Sequence, residues 1–237
     1  MQDLRTHVYL IRALTNMHPG SGDNDYGIVD KLVQRDPTSG APTIHTSGIK
    51  GALRQYFADQ FGEDGHNHSF VTTIFGSKPQ SSDFKQGEVR FISADLLTIP
   101  VINEGTVGGP YLLVHDETIL ERWEQKVSVF QGKDWSLNGN KSQLGKPNSE
   151  RFQRRYQELP VIARNYLDNG ESKNLWYEEI VPRESIFGFI LQGPESILED
   201  IAKGNSEQGA IGIDGKVVQL GANATVGYGY CLFTKIA

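Results

Sequence analysis

Two periodicities alternate along this chain. His7 to Ala13 (HVYLIRA) is rich in β-formers at strand spacing and reads as a first strand rather than an export leader. Asn16 to Tyr26 is a turn-rich loop of Gly, Pro, Asn and Asp. Gly27 to Gln34 suggests a short strand or a hairpin arm, and Asp36 to Ala41 another turn. The period then changes. Ile49, Ala52, Leu53, Tyr56, Phe57 and Phe61 share one face of a helix starting near Ser47. Glu88 to Leu97 returns to strand spacing. Asp116 to Lys126 reads as a helix with an acidic first turn and a basic end, which suits the helix dipole.

Residues 128–150 are polar, Gly-rich and weakly periodic, as expected of an inserted loop. Leu159 to Asp168 and Leu175 to Val181 are strand-like and separated by NGESKN, which predicts a protruding hairpin. Ser185 to Gln192 is an apolar strand. Pro194 to Lys203 is a short helix with proline at its start. Lys216 to Leu220 and Tyr228 to Ile236 are closing strands. The skeleton is strand, helix, strand, twice over, with insertions. That predicts an α+β fold with a ferredoxin-like, RRM-like βαββαβ core in a single domain.

Composition narrows the chemistry. Hydrophobic residues make up 38% of the 237, enough for a packed core. No apolar run approaches the roughly 20 residues of a membrane helix. Cys231 is the single cysteine, so no internal disulfide forms, and a reducing cytoplasm is the expected location. A net charge of −6 argues against nucleic-acid binding by bulk charge but leaves room for a local basic groove.

Several segments carry candidate chemistry. Gly221, Gly227 and Gly229 punctuate LGANATVGYGY. They suit either close approach of backbone amides to a phosphate or an ordinary hairpin. A dinucleotide fingerprint is excluded there, because a strand rather than a helix follows. Ser47 is a plausible helix cap beside Gly48. Lys50 and Arg54, four apart, lie on one helical face, as a phosphate grip or as a solvated basic face. Ser47-Gly48-Ile49-Lys50 also fits the S-x-x-K of serine acylases, but the S-D-N and K-T-G elements they need are missing. His66 and His68 sit near Asp64 without a second ligand cluster, which favours a solvated loop over a metal site. Trp123, Trp135 and Trp176 could stack on bases, although Trp123 sits in a helix.

Taken in order, a set of these pieces resembles the RAMP superfamily, and within it the backbone subunits of type III-B CRISPR complexes. The pieces are His18-Pro19-Gly20-Ser21-Gly22, Gly27-Ile28-Val29-Asp30, Gln34-Arg35, Ser47 to Arg54 and Ile74-Phe75-Gly76. Ala94-Asp95-Leu96-Leu97, Trp176-Tyr177-Glu178-Glu179 with Pro182, and Gly221 to Gly229 complete the series. The loop before the helix, Ile44-His45-Thr46-Ser47-Gly48, lacks the family's proline and first glycine.

The resemblance implies a guide-RNA-binding subunit of a type III effector complex that cuts complementary single-stranded target RNA. Its partners would be CRISPR RNA, target RNA, further copies of itself and the other subunits. It implies that Ser47, Gly48, Lys50, Arg54, Arg35, Gly221, Asn223, Thr225, Gly227 and Gly229 contact RNA. The hairpin at about 163–180 would be a thumb that kinks the guide. Asp30 would be the cleaving carboxylate and the protein ligand of a loosely held Mg²⁺ or Mn²⁺, with His18 assisting. Simpler roles stand beside these. Asp30 can be a turn carboxylate, His18 a turn residue, and Arg35 the partner of Asp36 or another acid. A non-catalytic backbone subunit and a free-standing nuclease that trims guide precursors are the alternative functions.

Overall fold

A computed structural model describes residues 4–24, 29–77, 84–105 and 108–237. Gly27 and Ile28 lie outside them. The chain is a mixed α+β structure. In order, its main elements are β1 (Leu4–Ala13), β2 (Gly20–Asn24), β3 (Lys31–Val33), α1 (Thr46–Ala58) and α2 (Ser69–Phe75). There follow β4 (Ala94–Ile102), β5 (Tyr111–His115), α3 (Glu117–Gln131) and α4 (Ser149–Gln157). The last are β6 (Val161–Asp168), β7 (Glu171–Glu179), β8 (Ile186–Pro194), α5 (Glu195–Lys203), β9 (Val217–Gln219) and β10 (Tyr230–Lys235).

The large sheet runs β9-β10-β1-β8-β4-β5, every neighbouring pair antiparallel, with Lys146–Pro147 added beyond β5. β1 lies at its centre. It pairs with β8 from Leu4↔Pro194 to Arg12↔Ile186, and with β10 from Tyr9↔Lys235 to Ala13↔Cys231. Strand side chains alternate between faces, so β1 feeds two cores. Tyr9, Ile11 and Ala13 meet Ile49, Leu53 and Phe57 of α1 and Leu198 and Ile201 of α5. Val8 and Leu10 meet Leu120, Trp123 and Val127 of α3. Burial on both faces explains the continuous apolar runs in β1 and β8. It also lifts the Cys231 thiol to about 12, because burial disfavours the thiolate.

Gly188 shows how tightly α3 seats. A Cβ there would stand 2.2 Å from Cε2 of the Trp123 indole. Gly188→Ala is expected to cost roughly 3 kcal/mol by overpacking. That is a fall of roughly 6–12 °C in Tm for a chain of this size. Differential scanning calorimetry checks it, and an unchanged Tm would show that the indole can shift.

Several expectations are revised. The helix opens at Thr46 with His45 at the cap position and no side-chain cap, so Ser47 lies in the first turn. α3 continues past Lys126 to Gln131, where Gly132 in the left-handed region (φ 68°) ends it. The polar stretch at 128–150 is not a plain loop. It holds the end of α3, a 3₁₀ segment (Asn138–Leu144) and the start of α4, and it buries Leu137 and Leu144 in the second core. The hairpin turns over two residues, Asn169 (φ 50°) and Gly170 (φ 85°), and Glu171 already pairs with Asp168. Its second strand therefore begins four residues before the apolar signal at Leu175. It was hard to see because its outer half is exposed and polar. With β2 and β3 the hairpin forms a second sheet, β2-β3-β7-β6. Among the described residues, no helix is long and apolar enough to cross a membrane.

Candidate nucleic-acid interface

The large sheet and the hairpin sheet meet at the loop after β1. His18 in that loop is buried. Its Nδ1–H donates to the Glu179 carbonyl at 2.7 Å, and its Nε2 lies 3.6 Å from Glu178 Oε1. Gly20 lies against the same ring, where a Cβ would come within 2.9 Å of Nε2.

The end of β7 supplies two buried carboxylates. Arg164 Nε donates to Glu178 at 2.7 Å, and Asn223 Nδ2 lies 3.0 Å from each of its oxygens. Glu179 accepts from Arg35 at 2.5 Å and from the Val33 amide at 3.1 Å. Consecutive residues on a strand face opposite ways. One carboxylate thus ties the hairpin to the C-terminal glycine segment, and the other ties it to β3. The Arg164 guanidinium also lies 4.4 Å over the Tyr228 ring.

That glycine segment is clamped to the His18 loop. The Ala222 amide donates to the His18 carbonyl at 3.0 Å, and the Gly229 amide to the Asn16 carbonyl at 2.8 Å. Gly221 has φ 82°, and a Cβ there would stand 2.6 Å from the His18 oxygen. Between these walls opens a cavity of about 510 Å³, bordered by the His18–Gly22 loop, Lys31, Gln34, Gly48, Glu178 and Gly221. Gln34 bridges two of the walls, donating to the Gly20 carbonyl and accepting from the His45 amide.

Other expected site residues are placed as follows. Asp30 is exposed at the hairpin base. Its Oδ2 accepts from the Tyr177 amide at 2.7 Å, and its own amide donates to the Tyr177 carbonyl at 3.0 Å. Ser47 and Thr225 are exposed, Thr225 in the turn Ala224–Val226 between the left-handed Asn223 and Gly227. Lys50 and Arg54 do not border the cavity. Lys50 Nζ lies 5.9 Å from the Phe91 ring centre, while Arg54 donates to the Gly76 and His66 carbonyls at 2.9 and 3.3 Å. Arg35 pairs with Glu179 rather than Asp36 and also holds the Gly40 and Tyr156 carbonyls. His68 stacks on Phe61 at 3.7 Å and caps α2. Trp123 is core and packs edge-on to Trp135.

Asp30 alone makes a poor metal cage, and it belongs to no cluster of ligand atoms among the described residues. The group that does form is His7, Glu195 and Glu199, on β1 and α5. Lys235 already sits in it, 2.7 Å from Glu199 Oε1 and 3.1 Å from His7 Nε2. Hydrogen bonds from Lys203 and Lys235 bring the Glu199 carboxyl down to about 2. Burial and the Lys235 charge keep His7 below its usual range.

Glu178, Arg164 and Lys31 were not assigned from sequence. The signal for Glu178 was two adjacent acids between aromatic and β-branched neighbours, Trp176-Tyr177 and Ile180-Val181, at a strand end. Acids in so apolar a setting need buried partners.

Residues 10–232 match the model of the RAMP superfamily. The chain belongs to the RAMP superfamily. Among RAMP proteins it is similar to the CRISPR system Cmr endoribonuclease Cmr4 of Pyrococcus furiosus, 23% identical over 98% of this chain and 96% of that one. A chain in the cryo-EM structure of the type III-B Cmr-beta complex bound to cognate target RNA superposes with a TM-score of 0.72 at 18% identity, covering 97% and 96%. The crystal structure of oligomeric Cmr4 from Pyrococcus furiosus gives 0.58 at 17% identity, covering 98% and 99%. At such identities the superpositions bear on fold.

Proposed function

We propose that this chain is a guide-RNA-binding backbone subunit of a type III CRISPR effector complex, and the subunit that cuts the target RNA. One observation carries the reading: the His18 loop, the mouth of α1 and the glycine segment, distant in sequence, converge on one cavity beside the hairpin that holds Asp30. Backbone amides and turn glycines suit a phosphate chain and read no bases, so any guide sequence fits. The name of the Pyrococcus furiosus relative, an endoribonuclease of the Cmr system, agrees. The order β10-β1-β8-β4 with α1 and α5 as crossovers supports a ferredoxin-like palm in a single RAMP domain. In that domain β6 and β7 are the thumb and 128–150 is an insertion. Further copies of the chain and the other subunits of the complex are its partners, in the cytoplasm.

In the cleavage step a target ribose 2′-OH attacks its own phosphorus, the P–O5′ bond breaks, the departing 5′ oxygen takes a proton from water, and a 2′,3′-cyclic phosphate and a 5′-OH result. Asp30 accepts the 2′ proton. A Mg²⁺ or Mn²⁺ ion at Asp30 would lower the negative charge on the phosphate. This chain offers it one carboxylate, the remaining ligands coming from RNA and water. The Tyr177 amide bond to Asp30 favours the rival reading, a backbone subunit in which Asp30 only fastens the hairpin.

The reading is tested by expressing the chain with its neighbouring genes and sequencing the RNA that copurifies. The expected outcome is a guide of defined length, with complementary RNA cut at regular intervals. A complex free of RNA overturns it. Cleavage of repeat RNA by the isolated chain would instead make it a guide-trimming nuclease.

A further inference from the structure

We propose that Lys31 is a phosphate ligand of the single-stranded RNA in the cavity. The inference rests on the RNA-binding reading above and adds a residue to it.

The cavity wall carries a cation with no carboxylate partner among the described residues. Arg35 and Arg164, the nearby guanidinium groups, are paired with Glu179 and Glu178. Lys31 stands directly opposite Glu178 in the parallel pairing of β3 and β7. Residues so placed ordinarily interact across a sheet. Glu178 is already saturated by Arg164 and Asn223 and is closed to solvent. Lys31 is left exposed on the cavity, with no carboxylate partner among the described residues. Its Nζ lies 5.2 Å from the Trp176 ring centre, an aromatic face that settles the long stem and leaves the ammonium free to donate.

The surroundings favour an anion. Gly48, in the first turn of α1, lies on the same cavity, and that turn contains no acid and no side-chain cap, so the helix adds positive potential there. A point-charge ammonium has no planar edge with which to read a base. The ligand is thus a phosphodiester, and its sequence does not matter.

The test titrates the full-length chain with two fluorescein-labelled 30-mer single-stranded RNAs of unrelated sequence over a range of salt. Lys31→Ala is expected to weaken both on the order of tenfold at low salt. It should also reduce the log–log salt slope by about 0.7, one phosphate contact on a single strand. Lys31→Arg should restore most of both, with Tm unchanged throughout. Unchanged affinity and slope in Lys31→Ala, or loss on one sequence alone, overturns the assignment. Gly221→Val, which wedges the glycine segment off the His18 loop, separates the two levels. If it loses RNA while Lys31→Ala does not, Lys31 alone is wrong; if neither loses RNA, the RNA-binding reading falls too. In the assembled complex, guide lost from Lys31→Ala assigns the phosphate to the guide. Guide retained with weaker target capture assigns it to the target.

Discussion

Asp30→Ala in the assembled complex should slow target cleavage by roughly 10²–10⁴-fold, the usual scale for a lost general base. Guide content and Tm should remain as they were, because Asp30 is exposed and its removal costs one solvent-facing hydrogen bond to the Tyr177 amide. Asp30→Asn sharpens the result. The amide keeps an oxygen to accept from Tyr177 but has neither the charge nor the basicity of a carboxylate. If proton transfer is the role, Asn is as inactive as Ala. If fastening the hairpin is the role, Asn restores the wild-type rate. Single-turnover cleavage of a labelled complementary RNA separates the outcomes, and undiminished cutting by both variants would strip Asp30 of its catalytic role.

Glu178→Ala is expected to be the most destabilising single change at the site. The carboxylate is buried, and its removal strands Arg164, whose Nη2 already lacks a partner, together with Asn223. Breaking a buried pair in this way costs roughly 3–5 kcal/mol. Arg164 keeps some solvent contact (17% side-chain exposure), which points to the lower figure. The corresponding fall in Tm is roughly 6–12 °C. A second measurement separates local from general damage. Amide exchange at 221–229 should quicken well below the melting temperature, because Glu178 holds both hairpin-side ties to that segment, Asn223 directly and Arg164 over Tyr228 through its ion pair. Exchange that changes evenly across the molecule would contradict this. Glu178→Gln keeps an acceptor for Arg164 without the charge and should fall between.

The parts of the fold legible in the sequence are those set by local periodicity. The α1 stripe of Ile49, Leu53 and Phe57 is buried as its spacing required, and β1 and β8 run where their β-branched and aromatic residues cluster. NGESKN marked a hairpin, but the turn itself is only Asn169-Gly170, two residues at positive φ, and the rest of that segment is strand. Short elements escaped. α2 has only seven residues, and α4 offers just two apolar positions, Phe152 and Tyr156, with no proline to announce its start as Pro194 does for α5. The site was legible as segments but not as pairings. Lys50 and Arg54 read as one grip because they are four apart, yet Arg54 is turned to carbonyls 12 and 22 residues along the chain. Nothing local marks such partners. Likewise the Ser47 cap misled: His45 holds the cap position, and the helix begins without a side-chain cap.

The saturated Glu178 has a mechanical consequence. It joins the root of the hairpin to the glycine segment through two side chains, while the His18 loop is bolted to both. Tilting the hairpin cannot leave the cavity unaltered. A push on its far tip, some nine residues from the root, is geared down into a small displacement of the cavity rim. Whatever leans on that arm and whatever fills the hollow beneath it must therefore sense one another.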